Sequence, residues 1–276
     1  MKFEILHRTH YTYASPVKES FNEVRLQPLS NERQTVESFL LRVHPTTRLR
    51  HYHDFYSNCV HHFEIPEPHT ALSIESRLRV TTQGNHLLPL DARPAKIARL
   101  PESLQHERCY DFLQSSRYVE LTPETWRAAV DATQGADDVW QTALRLMGQV
   151  YGTLSYEPNS THVHTQMRDV LAQRRGVCQD FAHVMIGLCR SLQIPALYVS
   201  GYLATQAASA THAWTEVFVP GMGWQGLDPT HNCQPDETYV KIGVGRDYAD
   251  VAPVSGTYKG KPDRTLSVEV KIEKRD

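Results

Sequence analysis

The sequence predicts an α+β protein. An N-terminal β-sandwich domain covers residues 1–85, a transition covers 86–120, and a mixed helix and strand domain covers 121–276. Three observations predict this. Apolar residues alternate with period two through the first part. Prolines crowd the transition. Beyond it the apolar period becomes helical, and one of those helices opens on a cysteine in "RRGVCQDFAHVMIGLCR".

Composition sets the frame. Of 276 residues, 40% are apolar and 22% charged, enough for a real core in a globular chain. The formal net charge is −2 with Lys and Arg scattered, so neither nucleic acid nor a membrane surface is an expected partner. No apolar run is long enough to span a membrane, and "MKFEILHRTHYTY" lacks the apolar stretch of a secretory signal. A cytoplasmic location is the expectation. The five cysteines are widely spaced with no CxxC pair, against a disulfide framework and against a cysteine-held zinc. The histidine groups "HYH" (51–53), "HH" (61–62) and "HVH" (162–164) match no ligand spacing and read as polar surface rather than metal sites.

"FEILHRTHYTY" places Phe3, Ile5, His7, Thr9, Tyr11 and Tyr13 on one strand face. "ESFLLRVHP" aligns Phe39, Leu41 and Val43 before Pro45, and "HHFEIPEP" is a short strand stopped by Pro66. "TALSIESRLRVTTQG" alternates through Leu72, Ile74, Leu78 and Val80. Short strands between turn residues predict the sandwich. Pro89, Pro94 and Pro101 then predict no regular element, and "HERCYDFLQSS" predicts a short helix. Thr122-Pro123-Glu124 is a helix start: a cap, a proline at the first helical position and an acid in the first turn. A further helix carries Val139, Ala143, Leu146, Met147 and Val150 on one face. The C-terminal "RTLSVEVKIEK" alternates through Leu266, Val268, Val270 and Ile272 and should complete a sheet.

Gly176 ends the short helix "MRDVLAQRR", and an apolar stripe runs from Phe181 to Leu192. Cys178 therefore heads a buried helix, beside free backbone N–H groups and the positive dipole end, which favour a thiolate. "HAWTEVFV" alternates as a strand with His212, Trp214, Glu216 and Phe218 on one face, and "GWQGLDP" is its return strand. A turn at Pro220-Gly221 puts His212 opposite Asp228. Cys178, His212 and Asp228 are then nucleophile, base and orienting acid for acyl transfer, a chemistry that needs no metal or organic cofactor. Asp180 reads as support for the first helical turn. Trp214 and Trp224 read as cleft walls.

Three stretches carry a family resemblance: "GVCQDFAHVMIGLCRSLQIPALYVSGYL", "HAWTEVFVPGMGWQGLDPT" and "VGRDYADVAPVSGTYKG". They resemble the bacterial transglutaminase-like proteins, often described as candidate cysteine proteases. "HYTYASPVKESFNEVRLQP" is similar to the β-rich region that precedes the catalytic domain in that group. The resemblance implies a papain-like, transglutaminase-like core, a Cys178-His212-Asp228 triad and a peptide or protein substrate. It also implies that "GRDYADVAP" packs near the site, through Arg246 and Asp247. Within "DFYSNCV", Ser57 stands where that group usually has glycine. Tyr156 in "LSYEPN" is a candidate second donor to an oxyanion, beside the Cys178 backbone N–H. Hydrolysis is favoured over amine transfer, since transfer needs a second binding site and no motif marks one.

Overall fold

The computed structural model describes residues 1–84, 87–104, 109–205 and 208–275. The first five strands are β1 (Lys2–Gln27), β2 (Gln34–His44), β3 (Arg50–His53), β4 (Cys59–Ile65) and β5 (His69–Thr82). Then come α1 (Leu100–Leu104), α2 (Pro123–Ala132), α3 (Val139–Thr153), β6 (Ser155–Tyr156), α4 (Met167–Gln173), β7 (Arg175–Gly176) and α5 (Cys178–Ser191). The last elements are β8 (Ala196–Thr205), β9 (Ala208–Val219), β10 (Gly223–Leu227), β11 (Tyr239–Gly245), α6 (Tyr248–Val251), β12 (Val254–Lys259) and β13 (Arg264–Arg275).

Where alternation predicts a sandwich, the structure has one curled antiparallel sheet of seven strands. The reason lies in β1, which runs 26 residues and belongs to both halves. Its first half pairs with β5 and β13, its second with β4 and β12. Between the halves the register slips, and Glu19 takes a left-handed φ of 51°. Such a slip bends a strand sharply, so the sheet folds over its own core of Tyr13, Val17, Val24, Phe63, Leu72 and Ile74. The predicted C-terminal strand forms as β13, and it lies beside β1 from Lys2↔Arg275 to Tyr13↔Arg264.

The transition departs from expectation. Pro101 sits in the first turn of α1, where a missing N–H costs nothing, and Leu100 is buried in the core. Of the predicted "HERCYDFLQSS" helix, Tyr110–Leu113 forms a single 3₁₀ turn, while His106, Glu107 and Arg108 lie outside the described residues.

The second half packs α2, α3 and α5 against a sheet ordered β10-β9-β8-β11. Thr122 caps α2 through the Thr125 N–H (3.2 Å), as its sequence predicts. Asp138 caps α3 through the N–H groups of Trp140 and Gln141. α5 lies in the centre, buried from Gln179 to Arg190. At its end the buried Arg190 guanidinium donates to the carbonyls of Ala196, Gln114 and Arg246, which satisfies a charge that burial would otherwise penalise.

The two halves meet on the face that Phe3 and Ile5 share. These residues and Leu78 and Val80 pack on Tyr202, Val240 and Ile242. Two amide side chains bridge the same joint. Asn58 donates to the Val244 carbonyl and accepts from its N–H, both at 2.8 Å. Gln34 does the same with Lys241, at 2.7 and 2.9 Å. Each amide thus satisfies β11 as a neighbouring strand would.

Candidate active site

Cys178 is placed by the turn before it. β6 and β7 form a short parallel ladder, Tyr156↔Gly176, that delivers the chain to α5. Asp180, at the third helical position, reaches back to accept the Val177 N–H at 2.8 Å, and Thr161 donates to the same oxygen at 2.6 Å. This is half of a capping box, closed by the acid alone since valine offers no cap. Burial raises the Asp180 carboxyl above its ordinary range, partly offset by those two hydrogen bonds. Gly176 is required here: a Cβ would lie 2.6 Å from the Asp180 carboxylate. Asp180 supports the first turn, as its position predicts.

His212 stands on β9 with its side chain buried. Its Nε2 lies 2.7 Å from Asp228 Oδ2. Cys178 lies close enough to act on the same ring, and with Nε2 held by Asp228 the nitrogen left for the thiol is Nδ1. Burial alone would lower the imidazole. The hydrogen bonds and charges of Asp228 and Cys178 outweigh it and push His212 up to about 9. Asp228 is fully buried and accepts four hydrogen bonds. His212, His231 and the Tyr239 hydroxyl each reach Oδ2 at 2.7 Å, and the Thr230 N–H donates to Oδ1 at 2.8 Å. Burial works against the Asp228 anion, but these donors hold it well below the usual carboxylate range.

The strand pairing differs in detail from its sequence expectation. Gly223 pairs with Val219 and Leu227 with Thr215, so Asp228 follows the strand end diagonally across from His212 rather than directly opposite. The turn is wider by two residues because both Gly221 and Gly223 take positive φ (78° and 70°). A slip of two keeps the face, so the contact survives.

The site opens into a cleft of about 300 Å³. Cys178, Gln179, Tyr198, His212 and Tyr248 line one side. The other side is supplied by the curled sheet: His7, Thr9 and Tyr11 of β1, Val254 of β12, and Leu266 and Val268 of β13. Sequence reasoning assigned the first part no place in the site. The available signal was polar His7 and Thr9 interrupting an otherwise apolar face. His7 is buried between Tyr202 OH (2.9 Å) and Thr9 Oγ1 (3.2 Å), and burial lowers it to about 4.

Of the remaining predicted residues, Trp214 stacks on His212 with ring centroids 6.3 Å apart. Trp224 does not wall this cleft. It lines a separate hollow of about 670 Å³ with Phe55, Tyr56 and Phe112. Tyr156 is half-exposed on β6, and burial raises its hydroxyl together with the nearby Cys178 charge. Asp247 caps α6 at the Ala249 N–H and accepts the Tyr118 N–H, both at 2.8 Å, and so holds Tyr248 at the cleft. Arg246 pairs with Asp250 at 2.9 Å, away from the cysteine. His231 was missed, although it lies three residues past Asp228.

Comparison with known proteins identifies the family. The profile of the transglutaminase-like superfamily matches residues 127–229, and that of the bacterial transglutaminase-like N-terminal region matches residues 3–81. An uncharacterised protein of Mycobacterium leprae is 35% identical over 98% of both chains. A protein-glutamine gamma-glutamyltransferase of Pseudomonas aeruginosa is 32% identical over 32% of this chain and 16% of its own. Among solved structures, a candidate cysteine protease from Cytophaga hutchinsonii superposes with a TM-score of 0.84 at 27% identity, covering 100% of this chain and 92% of that one.

Proposed function

From a chain that belongs to the transglutaminase-like superfamily and carries that family's bacterial N-terminal region, we propose an enzyme that cleaves peptide or amide bonds through a thioester on Cys178. One observation carries the proposal. A single imidazole, His212, is hydrogen-bonded to a buried carboxylate and shares the lining of one open cleft with a cysteine at a helix mouth, close enough to act on its charge.

Cys178 attacks the carbonyl carbon as its thiol proton passes to His212. The C–N bond breaks as His212 returns that proton to the leaving amine. Asp228 holds the ring and stabilises its cationic form. Water, activated by the same imidazole, then opens the thioester and releases the acid. The oxyanion is met by the Cys178 backbone N–H, which the first turn of a helix leaves without an intrahelical partner. Tyr156, fixed beside Gly176 by the β6–β7 ladder, is the candidate second donor. The cytoplasm is the proposed site of action.

The second reading is transfer to an amine in place of water. It is favoured by the likeness of the core to the Pseudomonas aeruginosa gamma-glutamyltransferase. Peptide and amide libraries, offered with and without a primary amine, separate the two by product mass. Turnover that vanishes in Cys178→Ala is expected. Turnover that persists in that variant would sink both readings.

A further inference from the structure

We propose that His212, Asp228 and His231 form a zinc site whose occupation switches the enzyme off. Their ligating atoms all lie within 4.8 Å of one another, and among the described residues no other group of three or more His, Cys, Asp or Glu side chains does so. Of the histidine groups noted in the sequence, His51 lies beside His61 at 5.7 Å and His162 beside His164 at 6.2 Å between ring centroids.

The donor set suits zinc. Two imidazole nitrogens are borderline donors that favour zinc over magnesium, and zinc accepts a carboxylate oxygen beside them. Both nitrogens already point at the same oxygen, at 2.7 Å each. Two ligands of a tetrahedral zinc stand about 3.3 Å apart, so each ring must retreat by only about half an ångström. His231 is the mobile side of the cluster, with 48% of its side chain exposed against 0% for Asp228. It offers both the path of entry and the freedom to adjust. The fourth position is left for water.

The consequence for chemistry follows from the proton count, and this part rests on the function proposed above. Zinc needs the Nε2 lone pair of His212, so the one hydrogen of the neutral ring, now between Nε2 and Asp228, shifts to Nδ1, the nitrogen that serves Cys178. A ring protonated there and bound to metal on the other side cannot accept the thiol proton, and Asp228 is no longer its partner. The nucleophile remains, but its base is gone.

The test is calorimetric titration of zinc into the full chain as wild type, Cys178→Ala and His231→Gln, with alkylation of Cys178 followed by mass spectrometry. Glutamine keeps an N–H for Asp228 and removes the imidazole. A single zinc per chain is expected, retained in Cys178→Ala and weakened about tenfold or more in His231→Gln, since even outer-shell losses reach that size. Zinc should slow wild-type alkylation, and magnesium should not bind. Equal zinc affinity in wild type and His231→Gln overturns the site, as does loss of binding in Cys178→Ala or equal binding of magnesium. In zinc-free protein, a Cys178 no more reactive than the other cysteines would sink the catalytic reading and leave the binding result untouched.

Discussion

At the scale of single residues, Asp228 shows how a buried carboxylate is kept charged and what that does for its neighbour. Four donors replace its lost hydration, and its hydrogen bond and charge, together with Cys178, raise His212 from 6.5 to about 9 against the effect of burial. A raised imidazole stabilises the fold fully below its ordinary value of 6.5, and that contribution is lost as pH rises through about 9. Asp228→Asn should therefore destabilise the protein more at pH about 6 than at pH about 10, which thermal melts at the two values will read. On activity the same variant should cost about 10⁴-fold in kcat, the scale seen when an orienting carboxylate is made neutral elsewhere. The pairing of His212 with Asp228 was legible in the sequence because strands alternate. An error of two positions in the register returns the same face. His231 was not legible, because it lies on an irregular segment beyond β10, where no period assigns a direction.

At the scale of elements, the start of α5 and the turn at Ser57 follow from local rules to different degrees. The cysteine at the helix mouth was readable from the apolar stripe behind it. The constraint in front of it was not, since the role of Gly176 emerges only when Asp180 folds back. Gly176→Ala should push that carboxylate off the Val177 N–H and destabilise by about 1–3 kcal/mol. It should also slow Cys178 alkylation, and equal rates in both proteins would show that the turn does not hold the nucleophile. Ser57 is the opposite case. It adopts a left-handed φ of 65°, and the turn forms because Asp54 accepts from the N–H groups of Ser57, Tyr56 and Asn58. Ser57→Gly should relieve strain of about 1 kcal/mol, less the extra entropy of glycine. A midpoint that rises slightly in urea will check this.

At the scale of the whole molecule, the cleft is made by parts far apart in the chain. Cys178 and His212 face a wall that the paired strands β1 and β13 build together. The alternation in "RTLSVEVKIEK" announced a strand, but periodicity carries no information on which neighbour a strand takes. The wall it makes with β1 was therefore hidden. Leu266 and Val268 are half-exposed there, apolar and unoccupied by the core. Val268→Lys should raise KM for any amide the enzyme turns over and leave alkylation by a small reagent unchanged. If both change together, the strand supports the catalytic residues rather than the substrate.

The pairing of Lys2 with Arg275 also sets a timetable. During synthesis β1 can meet β5 early, but its other edge waits for residues 264–275 to be made. Contacts this distant in sequence form slowly, and an unpaired strand edge invites association with other chains. The nascent chain thus carries an exposed strand edge from β1 until β13 is made. Its cleft gains the β13 wall only when residues 264–275 have left the exit tunnel.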